Sequence, residues 1–424
     1  MPTRIRFPLA TLALFGLALI PGLVALAVIW TTVGPDGISL VTHKLAVWDY
    51  ANLWSGGTLA RHGDLATLFD TESYRAWLRD HFSPRYEDSE WSYPPTMLLL
   101  GVPFSLLGVV PSYLLWLVTT AAALFVVLRL GGLRRSVAVA SMLSPAMVQS
   151  VIYGQNGALT AAFLCGGLLL VPRRQGAAGI SAGLLLVKPQ FAVLLPLVYL
   201  ASRSWRAIAF AAATVVVSAG AVYAAFGWPA WVLFWIRTRP LMTSVLEANW
   251  PAGHLVNGVT VFFAARAMGL GIDAAFLLQG ISALGAGIVA VWAWRMPAAD
   301  PALRMALTIP LALLATPYAY NYDLVALGVA TAFLLSRNGW HFSAITATAW
   351  FWPGLAHHFG ARGWLLSPCV FAVFAAAAWN AMRNERSCPA VTPRMPEVGS
   401  FGNHAVVAVH RALGCKTGAG KAAE

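Results

Sequence analysis

The stretch VWDYANLWSGGTLARHGDLATLFD, residues 47–70, scatters Asp49, Asp64 and Asp70 among aromatic residues and glycines. It is too apolar for a solvated linker and too polar to enter lipid, so its meaning depends on its flanks. Upstream, residues 7–30 form one long apolar run, and downstream such runs recur as far as residue 381. Hydrophobic residues make up 59% of the 424 and charged residues 10%, with a mean hydropathy of +0.69. Soluble domains carry about 25% charged residues, so this is an integral membrane protein. The runs are continuous and rich in Leu, Ala and Val rather than alternating, which suits helices and not a β-barrel. The 47–70 stretch is therefore read as part of a loop lying on the membrane surface.

Measured against the roughly 20 apolar residues that a helix needs to cross a bilayer, the candidate spans are 7–30, 94–110, 112–129, 136–152, 156–171, 176–201, 205–226, 272–294, 303–316, 322–335, 341–358 and 363–381. The net charge of +12 does not indicate nucleic acid, because the arginines fall in small clusters between runs instead of one patch. Arg4/Arg6, Arg129/Arg134/Arg135, Arg173/Arg174, Arg203/Arg206, Arg295/Arg304, Arg337 and Arg383/Arg386 read as loops kept on the cytoplasmic side. With Arg4 and Arg6 in front and no clear small-residue cleavage site behind, 7–30 reads as a retained first span. Residues 31–93 and 227–256 then lie outside, together with turns near 153–156 and 317–322. Two runs cannot cross under this scheme. Residues 94–110 and 176–201 are expected to be broken or re-entrant helices lining a polar cavity that opens outward.

The expected fold is an all-α polytopic membrane bundle over residues 1–382. Its first outer loop, 31–93, should hold two amphipathic helices at the interface, since Tyr50, Leu53, Trp54 and Gly57, and later Trp77, Leu78 and Phe82, recur at helical spacing. Residues 383–424 lose the apolar runs and gain Pro, Gly and scattered basic residues, which predicts a disordered cytoplasmic tail. Its GAGKAAE end is not a phosphate loop: Cys415 stands where the first Gly should, Ala422 replaces Ser/Thr, and no strand precedes it. Cys165 and Cys369 are expected buried in spans, and Cys388 and Cys415 in the cytoplasm. The four show no CxxC pair or His-spaced cluster, so neither a disulfide framework nor a metal site is expected, and no cofactor.

An ionisable group at membrane depth costs about 2.5–3.5 kcal/mol on insertion scales, which makes such groups functional candidates. Lys188, in LLLVKPQF, is the only Lys between Lys44 and Lys416 and stands mid-run beside Pro189. A snorkelling Lys is the plain alternative. Its distance from both flanking Arg clusters favours an ammonium at a broken helix, suited to an anionic phosphate. Asp49 opens the helix WDYANLWSGG. It can cap that helix or act as a general base held at the surface by Trp48 and Tyr50, and a capped carboxylate can do both. In the outer turns YGQNGA (153–158) and TPYAYNYDL (316–324), Gln155 and Asn156 can hydrogen-bond a sugar while Tyr318, Tyr320 and Tyr322 stack on it. Asp323 either joins them or caps the helix that follows. His254 and Asn257 are weaker candidates in the 227–256 loop.

Taken in order, Asp49-Tyr50, Trp54-Ser55-Gly56-Gly57, Gly63-Asp64, Leu68-Phe69-Asp70, Tyr93-Pro94-Pro95, Gly154-Gln155, Lys188-Pro189-Gln190, Trp205-Arg206 and Pro317-Tyr318 with Tyr322-Asp323 resemble glycosyltransferase family 87, polytopic mannosyltransferase-like enzymes of the type C superfamily. The resemblance spans roughly residues 45–335. It implies a type C helical bundle and a hexosyltransferase that takes a sugar, mannose by the resemblance, from a polyprenyl-phosphate-linked donor to a lipid or glycan acceptor. It places the active site on the outer face of a bacterial plasma membrane, with an acid of the first outer loop, here Asp49, as catalytic base. Lys188 would hold the donor phosphate, and Tyr50, Trp54, Tyr93, Gln155, Asn156, Gln190, Tyr318, Tyr322 and Asp323 would bind substrate. Some relatives carry a His in the late turn; Tyr320, Asn321 and Tyr322 stand there in this chain, so that role has no counterpart.

Residue chemistry agrees. Direct displacement at an anomeric carbon needs a base for the acceptor hydroxyl and a counter-charge for the departing phosphate. No soluble segment is large enough for a nucleotide fold. A transporter or flippase of a lipid-linked saccharide is the competing class. It would share the broken helices and the mid-membrane Lys, but it does not need the long acidic, aromatic first loop, and no repeat of two halves is visible.

Overall fold

The computed structural model describes residues 8–296 and 299–387. Arg4, Arg6, Cys388, Cys415 and the expected tail from residue 388 onward lie outside the described residues. Residues 383–387 continue the last helix, Ser367–Ser387.

Among the described residues, four helices are long and apolar enough to cross a membrane alone: Leu9–Thr31, Val109–Leu130, the run Trp205–Glu247, and Ile272–Arg295. They form the periphery, with Leu17, Val118, Val216 and Leu284 among the exposed apolar side chains. The centre is built from shorter pieces. Pro301–Ala315 and Val325–Arg337 are buried along almost their whole length, as expected of helices apolar on every face. At 1.5 Å per residue they reach only about 20 Å, short of a hydrocarbon core of about 30 Å. Their end groups must therefore be satisfied by protein, which their burial provides. Polar ties fasten the periphery to this centre: Gln279 accepts from Phe262 N (3.0 Å) and donates to Leu314 O (2.9 Å), and Trp294 Nε1 donates to Thr308 Oγ1 (2.9 Å).

Both runs expected not to span are broken. Residues 94–110 become a turn, Pro95–Met97, and the short helix Leu98–Phe104. Residues 176–201 rise as Gln175–Leu184 and Leu185–Val187, stop at Lys188 (φ −142°, ψ 72°), and return through Pro189–Ala192 and Leu195–Ala201. Pro189 forces this break, because the residue before a proline is pushed out of the helical region. The rising arm runs alongside the start of the Trp205 helix: a side chain at Gly176 would meet Phe210, and one at Gly183 would meet Thr214. Lys188 thus sits at the top of a re-entrant hairpin. The 136–152 run is split too, into Arg135–Met142 and Pro145–Ile152, where Ser144 caps by accepting from Met147 N (3.2 Å).

The first outer loop departs from expectation. Only Thr71–His81 is amphipathic, turning Tyr74 and Leu78 inward. Helix Tyr50–Arg61 is buried from Tyr50 to Ala60 and so presents no free apolar face, because Trp91 and helix Leu98–Phe104 cover it. A Cβ on Gly57 would stand 2.2 Å from Gly101 O, and one on Gly56 would stand 2.2 Å from the Trp91 ring. The glycine pair serves backbone-to-backbone packing. The loop builds its own core, in which Leu53, Leu68, Tyr74, Leu98 and Trp116 meet.

The molecule has two ends. At one, Trp30 stacks on Tyr113, whose hydroxyl donates to Val151 O (2.6 Å). At the other, the Thr11 hydroxyl bonds Trp340 O, and Arg337 pairs with Asp300 (3.2 Å) and Glu385 (3.0 Å). Cys165 is buried as expected; Cys369, expected buried, is exposed.

Candidate active site

Asp49 is placed by two unusual backbones. Trp48 takes φ 49°, a left-handed conformation costly for a bulky residue. Opposite it, Gly154 takes φ 62°, and a Cβ there would lie 2.2 Å from Val47 O and 2.7 Å from Tyr50 N. Only glycine lets the 153–155 turn close on residues 47–50. Asp49 N then donates to Tyr153 O (3.2 Å), and Gln155 Nε2 donates to Asp49 Oδ2 (2.7 Å). Gln155 Oε1 in turn accepts from the Tyr93 hydroxyl at 3.5 Å. The capping expectation for Asp49 is corrected: it precedes Tyr50–Arg61, but its carboxylate bonds none of that helix's N–H groups. It is turned toward Gln155 instead.

Lys188 meets Asp323 (Nζ–Oδ1 2.6 Å), with 9% and 2% of the two side chains exposed. The other oxygen, Asp323 Oδ2, accepts from Tyr320 N (3.1 Å) and caps the turn Asn321–Asp323. Lys188 Nζ also lies 5.5 Å from the centre of the Tyr322 ring. Aromatic contacts continue outward from it, Tyr322 to Tyr153 (5.5 Å) and Tyr153 to Trp48 (5.2 Å) on one side, Tyr322 to Tyr320 (5.4 Å) and Tyr320 to Tyr318 (5.1 Å) on the other.

These elements wall a cleft of two joined chambers, about 570 and 310 Å³, which share Tyr93, Gln155, Met242, Tyr318, Tyr320 and Tyr322. The larger holds Asp49, Glu87, Asp88, Glu90 and Lys44. The smaller holds Lys188, Asp323, Gln190 and Arg239 with the apolar Phe234 and Leu246. Most of these charges are paired. Glu87 bonds Lys44, Asp88 bonds Arg79, Glu90 takes Arg75 at 2.6 Å, and Asp323 takes Lys188. Among the described residues Asp49 is the one cleft carboxylate without an ion pair, and Arg239 the one cleft cation without one; Arg239 stacks on Trp235 instead (4.9 Å). Burial pushes the Asp49 carboxyl above its usual range, against the Gln155 hydrogen bond and the more distant charges of Lys44 and Lys188.

The structure brings Asp49, Tyr93, Gln155, Lys188, Gln190, Tyr318, Tyr322 and Asp323 to this cleft. His254 and Asn257 reach the rim of the larger chamber. Three substrate-binding expectations are corrected. Tyr50 is fully buried with its hydroxyl 2.6 Å from Ser112 Oγ. Trp54 donates to Leu107 O (2.8 Å) under the ring of Phe82. Asn156 is buried at the start of helix Gly157–Leu169, behind the wall. Each is turned inward because its element packs against another, which periodicity cannot reveal. Arg239 was not foreseen, although an Arg beside Trp235 in an outer loop was a usable signal.

The sequence model of glycosyltransferase family 87 matches residues 91–317. The chain belongs to this family. It is accordingly a glycosyltransferase, and its apolar helices make it an integral membrane one. No curated protein and no solved structure matches it. The family 87 match takes in Tyr93, Gln155, Lys188, Gln190 and Arg239. It begins after Asp49 and ends just before Tyr318.

Proposed function

We propose that this family 87 enzyme transfers a hexose, mannose by family resemblance, from a polyprenyl-phosphate-linked donor to a hydroxyl of a lipid or glycan acceptor, on the outer face of the plasma membrane. The reading rests on one observation: of the charges lining the cleft, the two left without an ion pair are a carboxylate in one chamber and a guanidinium in the other. The apolar-walled chamber lies against the 205–247 run, where Trp228, Trp235 and Ile236 are exposed, so a prenyl chain can approach laterally from lipid. The sugar then sits over the tyrosines at the junction, and the acceptor enters the acid-lined chamber.

In the reaction the acceptor oxygen attacks the anomeric carbon as Asp49 takes its proton. The bond from that carbon to the phosphate oxygen breaks, the electron pair leaves with polyprenyl phosphate, and the configuration inverts. Arg239 meets the phosphate charge. Lys188, expected to do so, is already neutralised by Asp323; it holds the tyrosine turn and lends only residual field. Asp49→Asn keeps the size of the side chain, so expression and thermal stability should stay near wild type while turnover falls at least about a hundredfold. Arg239→Gln should weaken donor affinity by about ten- to a hundredfold, the worth of a charged contact to phosphate. If Asp49→Asn retains its turnover, the base is another group and the reading fails.

A further inference from the structure

A second cavity, about 430 Å³, lies at the end of the bundle remote from the cleft. Helices Val109–Leu130, Gly157–Leu169, Pro301–Ala315 and Val325–Arg337 each run between the two ends, and their termini Gly131, Leu169, Pro301 and Arg337 line this cavity. Val109–Leu130 alone, at 1.5 Å per residue, covers about 33 Å, the thickness of the hydrocarbon core, so the cavity lies at the membrane boundary opposite the end that carries the cleft.

Three guanidiniums reach the cavity, from Arg134, Arg173 and Arg337, against one carboxylate, Asp300. Arg337 is spoken for: its two terminal nitrogens bond Asp300 and Glu385, and its plane covers Phe333. Arg134 and Arg173 are exposed and have no ion pair among the described residues. Their meeting is built in. A side chain on Gly131 would strike Leu169 at 2.8 Å, so the 131–134 turn can close on the end of the neighbouring helix only as glycine. Gly132 has φ 88°, and Arg173 Nη1 lies 3.0 Å from where its Cβ would be. The guanidinium is laid across a turn that only glycine can make.

We propose that this cavity binds a phosphate group, supplied by the headgroup of an anionic phospholipid in the leaflet opposite the cleft. Positive charge kept on one side of a membrane needs no cavity. Here two unneutralised arginines from separate loops converge on a space large enough for a headgroup, at the depth where phosphodiesters lie, and basic pockets between helices at a membrane boundary recognise such headgroups. Arg337, fixed by its two acids, forms the rigid wall.

The test uses the full chain in detergent, titrated with phosphatidylglycerol, with phosphatidylcholine, and separately with inorganic phosphate, reading bound lipid by native mass spectrometry. Phosphatidylglycerol should be retained in preference to phosphatidylcholine. Arg134→Gln/Arg173→Gln should lower its apparent affinity about twenty-five-fold, a factor of about five for each arginine facing a leaflet phosphate. Arg173→Gln alone, which leaves the helix starting at Arg135 intact, should lose about fivefold and covers the case in which the double variant misfolds. Arg135→Gln/Arg174→Gln removes equal charge from the same loops but outside the cavity, and should change retention less than twofold. Equal losses in the two double variants, or no preference for the anionic lipid, would overturn the site. Displacement of the lipid by millimolar inorganic phosphate would overturn the lipid as its source.

Discussion

The Asp49 carboxylate accepts from a neutral amide, while its neighbours Glu87, Asp88 and Glu90 each hold a cation. Its carboxyl is raised by burial and lowered by Gln155, and only the ionised form can take a proton. Plotted as log kcat/KM, activity should therefore fall with unit slope as pH drops through a midpoint above the ordinary 3.8. Gln155→Leu deletes a contact that favours the charged form, so the same limb should move to higher pH; a limb that stays in place would detach Gln155 from the base. The Lys188–Asp323 pair makes a different prediction. Removing one member of a buried pair strands the other at a cost of about 3–5 kcal/mol, whereas replacing both with apolar residues is often neutral. Lys188→Met should thus lower the thermal midpoint in detergent more than Lys188→Met/Asp323→Leu does. The opposite order would mean that Lys188 is not primarily paired. At this scale the sequence announced a lone Lys beside Pro and acids among aromatics. It could not announce which charges neutralise each other, since partners such as Lys188 and Asp323 stand 135 residues apart.

Elements were legible where a local rule decides them. Pro189 and the surrounding Arg clusters foretold the re-entrant hairpin, and the same Arg clusters foretold that 94–110 would be broken. The burial of Tyr50–Arg61 was not legible, because its cover comes from Trp91 and Gly101 and its own spacing is equally that of an interfacial helix. The turn at Gly154 shows how an element sets chemistry. Ala there must both adopt φ 62° and displace Val47 O from 2.2 Å. Gly63 is a natural control, with φ 76° and open space around it. Gly63→Ala should cost only the left-handed penalty, about 1–2 kcal/mol, and leave turnover intact. Gly154→Ala should reduce turnover at least about tenfold, because a misplacement of about 1 Å in a reacting group can cost a hundredfold. Equal turnover in the two variants would show that the 47–50 and 153–155 contact does not place the base.

For the whole molecule, among the described residues, the arginines of the cavity (Arg134, Arg173 and Arg337) lie at the end remote from the cleft, which residues from 31–93 and 227–256 line. The number of true crossings was less legible, since a 13-residue central helix and a 22-residue peripheral one look alike as apolar runs. Which end faces the cytoplasm is open to a direct test in a chain cleared of its cysteines, including the exposed Cys369. In intact cells an impermeant maleimide should label Ser73→Cys and Ser244→Cys, and should reach Arg174→Cys only after permeabilisation. Labelling of Arg174→Cys alone would turn the cleft inward and exclude an outer-face transfer.

The long reach of the Lys188–Asp323 pair also imposes an order in time. A ribosome adding about 5–20 residues per second needs about 7–27 seconds to travel the 135 residues between the two. Throughout that interval the ammonium is made but its carboxylate is not, and a charge unpaired at membrane depth costs about 2.5–3.5 kcal/mol. The nascent hairpin must wait near water or inside the insertion machinery until the tyrosine turn emerges. A chain stopped anywhere between the two residues carries that cost permanently.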